Sequence, residues 1–302
     1  MSALVAPPAP SWDILFTRWS LDLAFPVVLV VAALYIVGTR RLGARGRGWP
    51  ATRTVAFLSG LGVILVATES GLAAYDDVVF SLHIVQHVLL GMVAALLLVL
   101  GAPVTLALQA GSRTVQRRLL RGLHSRAVKV IVNPLTAGVL FGGTLIVLYF
   151  SPLYELSLRN GWVHGAVHAH FVLVGVLFMA YVVGLDPIPG ALGYGARVLY
   201  LVMLLIFHTF LGVALLTSKT VIAADWYHGV VRSWGGSLLS DQRTGAGVLW
   251  IAGELFGLVA IGVVVYQWMA AEERVAVRHD RLLDEFAEDP AVPEAVTAEG
   301  DR

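Results

Sequence analysis

Seven stretches of this chain, near 22–38, 54–69, 80–108, 133–150, 162–184, 196–217 and 244–269, are apolar over roughly the 20 residues that a helix needs to cross a hydrocarbon core. Of the 302 residues, 58% are hydrophobic and 14% charged, whereas a soluble domain carries roughly 25% charged residues. A water-soluble enzyme is therefore excluded. The expected fold is all-α: a polytopic membrane protein with seven transmembrane helices. Pro26 interrupts the first stretch, and the third is longer than a span requires, ending at Gly101-Ala102-Pro103; tilt or a kink accommodates the excess. The N-terminus has Pro7, Pro8 and Pro10 and no basic region ahead of its apolar run, so no cleaved signal peptide is expected and the first helix serves as its own anchor. Residues 1–21 read as an extracytoplasmic segment, 22–270 as the membrane domain and 271–302 as a charged cytoplasmic tail, a helical extension fraying into disorder. No internal repeat and no second domain is visible.

Orientation follows from where Lys and Arg fall in alternate loops. One set holds Arg40, Arg41, Arg45, Arg47, Arg53, Arg113, Arg117, Arg118, Arg121, Arg126, Lys129, Arg197, Arg274, Arg278, Arg281 and Arg302; the other holds Arg18, Arg159, Lys219, Arg232 and Arg243. The asymmetry predicts an outer N-terminus and a cytoplasmic C-terminus. The basic run from Arg113 to Lys129 then reads as a topology signal touching anionic lipid. Net charge is +1, which gives no reason to expect nucleic acid as a partner.

This orientation sorts the nine histidines. His83 and His87 lie in the first turns of the third span, His164, His168 and His170 open the fifth, His208 lies below the outer end of the sixth and His228 sits in the last outer loop; His124 and His279 fall on the cytoplasmic side. Counting the rise from the outer ends puts His87 and His168 roughly 10 Å down, His208 roughly 13 Å down, and His83 and His164 about 3–5 Å down. The i,i+4 spacing places both rings of each pair on one face, while His170, two residues past His168, faces a different neighbour. Glu254, at roughly 15 Å, is the deep carboxylate of the seventh span.

A lone intramembrane histidine is ordinarily interhelical glue. Two i,i+4 pairs with a third helix at the same depth point instead to a metal or haem, because ionisable residues are expensive in lipid. The chain has no cysteine, which excludes disulfides, thiolate zinc sites, c-type haem attachment and CxxC motifs, so a metal must be held by His, Met, carboxylate or backbone. Imidazole suits copper, zinc and iron alike. A zincin-type metalloprotease is excluded because Ile84 follows His83 and Gly165 follows His164, where that chemistry needs Glu. A membrane cytochrome or oxidoreductase with haem held by histidines on facing helices remains open, as does a copper transport or resistance protein. The glycines form no nucleotide-binding pattern, and Leu185-Asp186-Pro187-Ile188-Pro189 reads as a structural turn.

The stretch Ser81-Leu82-His83-Ile84-Val85-Gln86-His87 running to Leu100-Gly101-Ala102-Pro103-Val104 resembles the CtaG family of bacterial cytochrome c oxidase assembly factors. So do His164-x3-His168-x-His170-Phe171 leading to Gly184-Leu185-Asp186-Pro187-Ile188-Pro189, and Asp241-Gln242 leading to Gly253-Glu254. The resemblance spans about 20 to 270; Ile84 stands where the family pattern has Met. It implies a seven-helix protein of the bacterial cytoplasmic membrane, not an enzyme, that works with cytochrome c oxidase subunits during assembly of a caa-type oxidase by supplying copper. On that basis His83 and His164 are expected to accept copper and His87, His168 and His208 to hold it. His170, Glu254, Asp76 and Asp77 are expected around them.

Overall fold

The computed structural model describes residues 4–288. Its helices α1 (Ala24–Ala44), α2 (Ala51–Glu69), α3 (Phe80–Ala110), α4 (Pro134–Tyr149), α5 (Gly161–Val183), α6 (Tyr194–Thr217) and α7 (Leu238–Glu288) follow the seven apolar stretches. Six of them are long and apolar enough to span a bilayer. The remaining stretch, α4, is continued by Leu153–Arg159 after a bend of 72°, and counting this bent pair as one span brings the number to seven. Sheet-like pairing among the described residues is confined to two residues per strand, Leu4–Val5 beside Val230–Val231, and an isolated antiparallel bridge between Trp19 and Ser70.

Three boundaries differ from the expected ones for local reasons. Pro26 does not interrupt α1, because the helix starts at Ala24 and places Pro26 in the first turn, where its missing N–H would have no partner anyway. The excess of α3 is absorbed twice, by a π-helical turn at Leu89–Ala94 and by a break where Ala102 adopts φ 46°. The last helix continues without a break to Glu288, because Ala, Glu and Arg dominate 270–281 and all favour helix. The expected disordered end, 289–302, lies outside the described residues.

Two carboxylates fix where α3 starts and restarts. The N–H groups of a first helical turn have no partner in their own helix. At Phe80 and Ser81 they donate to Asp241 of α7, at 2.9 and 3.3 Å, and the Ser81 hydroxyl donates at 2.6 Å. After the break, Val104 and Thr105 donate in the same way to Asp186, at 3.2 and 2.7 Å. The Asp186-Pro187 turn therefore has the structural role expected of it. Gln242 ties down the loop before α7, accepting from the Ile222 amide at 2.8 Å.

Helices approach closely where small residues meet. A Cβ at Gly175 of α5 would overlap the Gly91 carbonyl of α3 and stand 2.9 Å from the Ala95 Cβ. Such contact lets two backbones pack without the side-chain bulk that a hydrophobic interface in water would use. Large apolar residues such as Phe210, Leu173 and Leu255 point outward, as lipid contact requires. At the end where α3 and α5 begin, here the histidine end, residues 6–8 lie across the loops: Tyr75 donates to the Pro8 carbonyl and Trp234 to that of Pro7, each at 2.8 Å.

Candidate metal centre

The first turns of α3 and α5 run side by side, so each i,i+4 histidine pair faces the other. Ring centroids are 4.0 Å apart for His83 and His87, 4.3 Å for His164 and His168, 5.6 Å for His83 and His164, and 5.7 Å for His87 and His168. One nitrogen from each of His83, His87 and His164 falls within 4.8 Å of the others, and so do ligand atoms of Asp76, His164 and His168. His164 belongs to both groups. His83 and His87 are buried at 0% and 2% exposure, and the His164 side chain keeps 15% of its surface.

The polar atoms around the rings are unevenly satisfied. Gln86 donates through Nε2 to the Ala67 carbonyl at 2.8 Å and to Asp76 Oδ2 at 2.7 Å. Both partners are acceptors, so the amide has one orientation and its Oε1 accepts from His168 Nε2 at 2.9 Å. His168 therefore carries its proton on Nε2 and its lone pair on Nδ1. His87 Nδ1 shares a proton with the Tyr149 hydroxyl at 2.9 Å. His164 Nε2 is 3.6 Å from Asp76 Oδ2, too far for a hydrogen bond. Among the described residues six buried side-chain polar atoms have no partner, and four of them are His83 Nδ1, His83 Nε2, His87 Nε2 and His164 Nε2. An unpaired buried polar group costs about 1–3 kcal/mol, so one cluster concentrates a cost that ligation to a cation would relieve.

Asp76 sits in the loop before α3. Burial, reinforced by the neighbouring Asp77, pushes its carboxyl up to about 8. At neutral pH it is mostly protonated, and a cation beside it would draw off that proton. Tyr149 ends α4 at the site and the bend beyond it brings in Tyr154, which packs on His83 at 4.8 Å between centroids and shares a proton with Tyr227 at 2.6 Å. Phe171 stacks on His87 at 4.1 Å.

The ligand groups do not follow depth. His87 and His168 belong with His83 and His164, whereas His208 belongs to neither ligand group. Its Nδ1 donates to the Leu204 carbonyl at 3.0 Å, and its ring lies so close to α7 that a Cβ at Gly253 would overlap it. Equal depth leaves the direction around the helix undetermined: α6 packs this ring against Gly253 of α7, with one edge on a cavity that His87 also lines. His170 does face elsewhere, donating to Thr144 at 2.8 Å because the Thr144 hydroxyl is spent on Leu140. Glu254 accepts from Thr209 rather than from a histidine. Asp77 contributes its carbonyl to Trp226 Nε1 at 2.7 Å, while its carboxylate joins neither group.

Residues 33–271 match the family described as cytochrome c oxidase caa3 assembly factor, Caa3_CtaG. The chain belongs to this family. Relatives of the family member described here include uncharacterised proteins of Mycobacterium bovis, Mycobacterium tuberculosis and Mycobacterium leprae, each 36% identical over 292 residues. The match covers 94% of this chain and 44% of each relative, so the chain spans less than half the length of these mycobacterial proteins. No solved structure matches the chain. Gln86 and the tyrosines Tyr149, Tyr154 and Tyr227 are the site residues that sequence reasoning did not single out. A glutamine inside an apolar span is itself a signal, since its amide must find partners there; the tyrosines are masked by the ordinary enrichment of Tyr at membrane interfaces.

Proposed function

We propose that this chain is a membrane assembly factor that binds copper at His83, His87 and His164, with Asp76 and His168 beside them, and presents it to a caa-type cytochrome c oxidase. The observation that carries the reading is the set of four unpartnered imidazole nitrogens in one buried cluster, within a family defined by oxidase assembly. The ligand set is imidazole with one flanking carboxylate, which suits a copper ion. The imidazoles touch one another and are covered by Tyr149, Tyr154 and Phe171, which favours a single ion over a planar macrocycle such as haem. Copper is cargo here, not a reagent, so no catalytic turnover is assigned to the chain. The basic asymmetry favours a place in the bacterial cytoplasmic membrane with the histidine end outside, where the His164 edge is the way in.

The role is tested in cells lacking this protein. The oxidase purified from them is expected to be depleted of copper, with activity partly restored by excess copper in the medium. A copper-replete, fully active oxidase from the same cells contradicts the proposal.

A further inference from the structure

A cavity lies below the histidine cluster, between α3, α4, α5, α6 and α7. Its volume is about 20 Å³ and its lining includes His87, Met92, His208, Phe141, Phe171 and Leu249. That is room for one water or one small ion. Apart from Thr144, whose hydroxyl is spent on the Leu140 carbonyl, the other walls are apolar, so the two imidazoles and the thioether are the chemistry it offers.

The state of each donor is constrained. His208 spends Nδ1–H on the Leu204 carbonyl, which leaves its lone pair on Nε2. His87 Nε2 is buried and unpartnered. Met92 is 3% exposed and lies in the π-helical turn Leu89–Ala94, next to Gly91, whose carbonyl meets Gly175 of α5. Such π turns inside α-helices recur at functional sites because they redirect side chains. Two neutral nitrogens, one thioether and apolar walls select a soft monovalent cation over a hard or divalent one.

We propose that His87, Met92 and His208 form an inner site for Cu(I), joined to the outer group through His87. The inference rests on the copper reading of the outer group and extends it. An ion passes inward by exchanging His83 and His164 for Met92 and His208 while His87 stays bound; one set of dative bonds replaces another and no electron moves.

The test is anaerobic titration of the purified full-length protein with Cu(I) against a chromogenic chelator, with copper X-ray absorption on the loaded sample. The wild-type protein is expected to take up a second equivalent, the first then being held by Asp76, His164 and His168 while His87 serves the inner site, and to show a sulfur scatterer. Met92→Leu, which conserves volume, is expected to remove the sulfur signal and weaken the second equivalent by about 100-fold, the upper range of losses seen on disturbing a metal's surroundings. His208→Ala is expected to weaken it similarly, and His164→Ala to weaken the first equivalent and keep the sulfur signal. Uptake of a single equivalent with nitrogen and oxygen scatterers alone, lost in His164→Ala and unchanged in Met92→Leu, overturns the inner site and leaves the outer one standing; the cavity then holds water. No uptake of copper at all overturns both.

Discussion

Replacing His164 by Ala is expected to reduce oxidase maturation to the level of cells lacking the protein, at unchanged membrane levels of the variant. His164 contributes to both ligand groups, with His83 and His87 on one side and Asp76 and His168 on the other, so its removal breaks both at once. His83→Ala is expected to be as severe. The sequence reading has His83 accept copper rather than hold it, but His83 is fully buried inside the triad. Insertion does not depend on imidazole, since span hydrophobicity and basic loops direct it, and the lost interhelical contacts are worth about 0.6–2 kcal/mol at most. His170→Ala, which removes a bond to Thr144 outside the cluster, and His124→Ala, whose ring caps its own helix at Leu120, are expected to leave maturation intact. Normal maturation in the His164 and His83 variants, measured as oxidase activity per unit of membrane protein, contradicts the ligand assignment.

Gly175→Leu is expected to have the largest effect on stability. A Cβ there would overlap the Gly91 carbonyl, and neither backbone can swing aside as a side-chain tip could. Separation of α3 from α5 is the remaining response, and it pulls His83 and His87 away from His164 and His168. Overpacking a tight interior costs about 1–3 kcal/mol where side chains can adjust; with backbone against backbone, a loss of about 3 kcal/mol or more is expected. Thermal unfolding in detergent measures it. Gly165→Ala is the control on the same helix: nothing lies within 4 Å of its Cβ position, and replacing a helical glycine by alanine adds about 0.5–1 kcal/mol. A Gly175→Leu protein that unfolds at the wild-type midpoint contradicts the packing described.

Much of this was legible in the sequence because the bilayer imposes simple rules. Span length alone locates the seven helices to within a few residues, and the i,i+4 spacing of His83 with His87 and of His164 with His168 places each pair on one face. What the sequence does not carry is which faces meet. His208 matches His87 and His168 in depth, yet α6 turns it toward Gly253 of α7, and that choice depends on small-residue contacts between helices 45 positions apart in sequence. The bend after Tyr149 falls at the end of the stretch 133–150, and nothing in the apolar pattern carries its direction. It is what delivers Tyr154 to the histidines beside Tyr149. Asp186 reads as part of a turn and Asp241 as one residue of a motif; that both hold helix N-termini emerges only from contacts about 160 and 80 residues apart.

The central claim is that the buried imidazole nitrogens of His83, His87 and His164 bind copper. Anaerobic Cu(I) competition on the purified full-length protein, wild type against a His83→Ala/His164→Ala double variant of verified fold, tests it most directly. The wild-type protein is expected to hold an equivalent that the double variant cannot, with affinity lowered by about 100-fold or more. Equal copper affinity in the two proteins would contradict it.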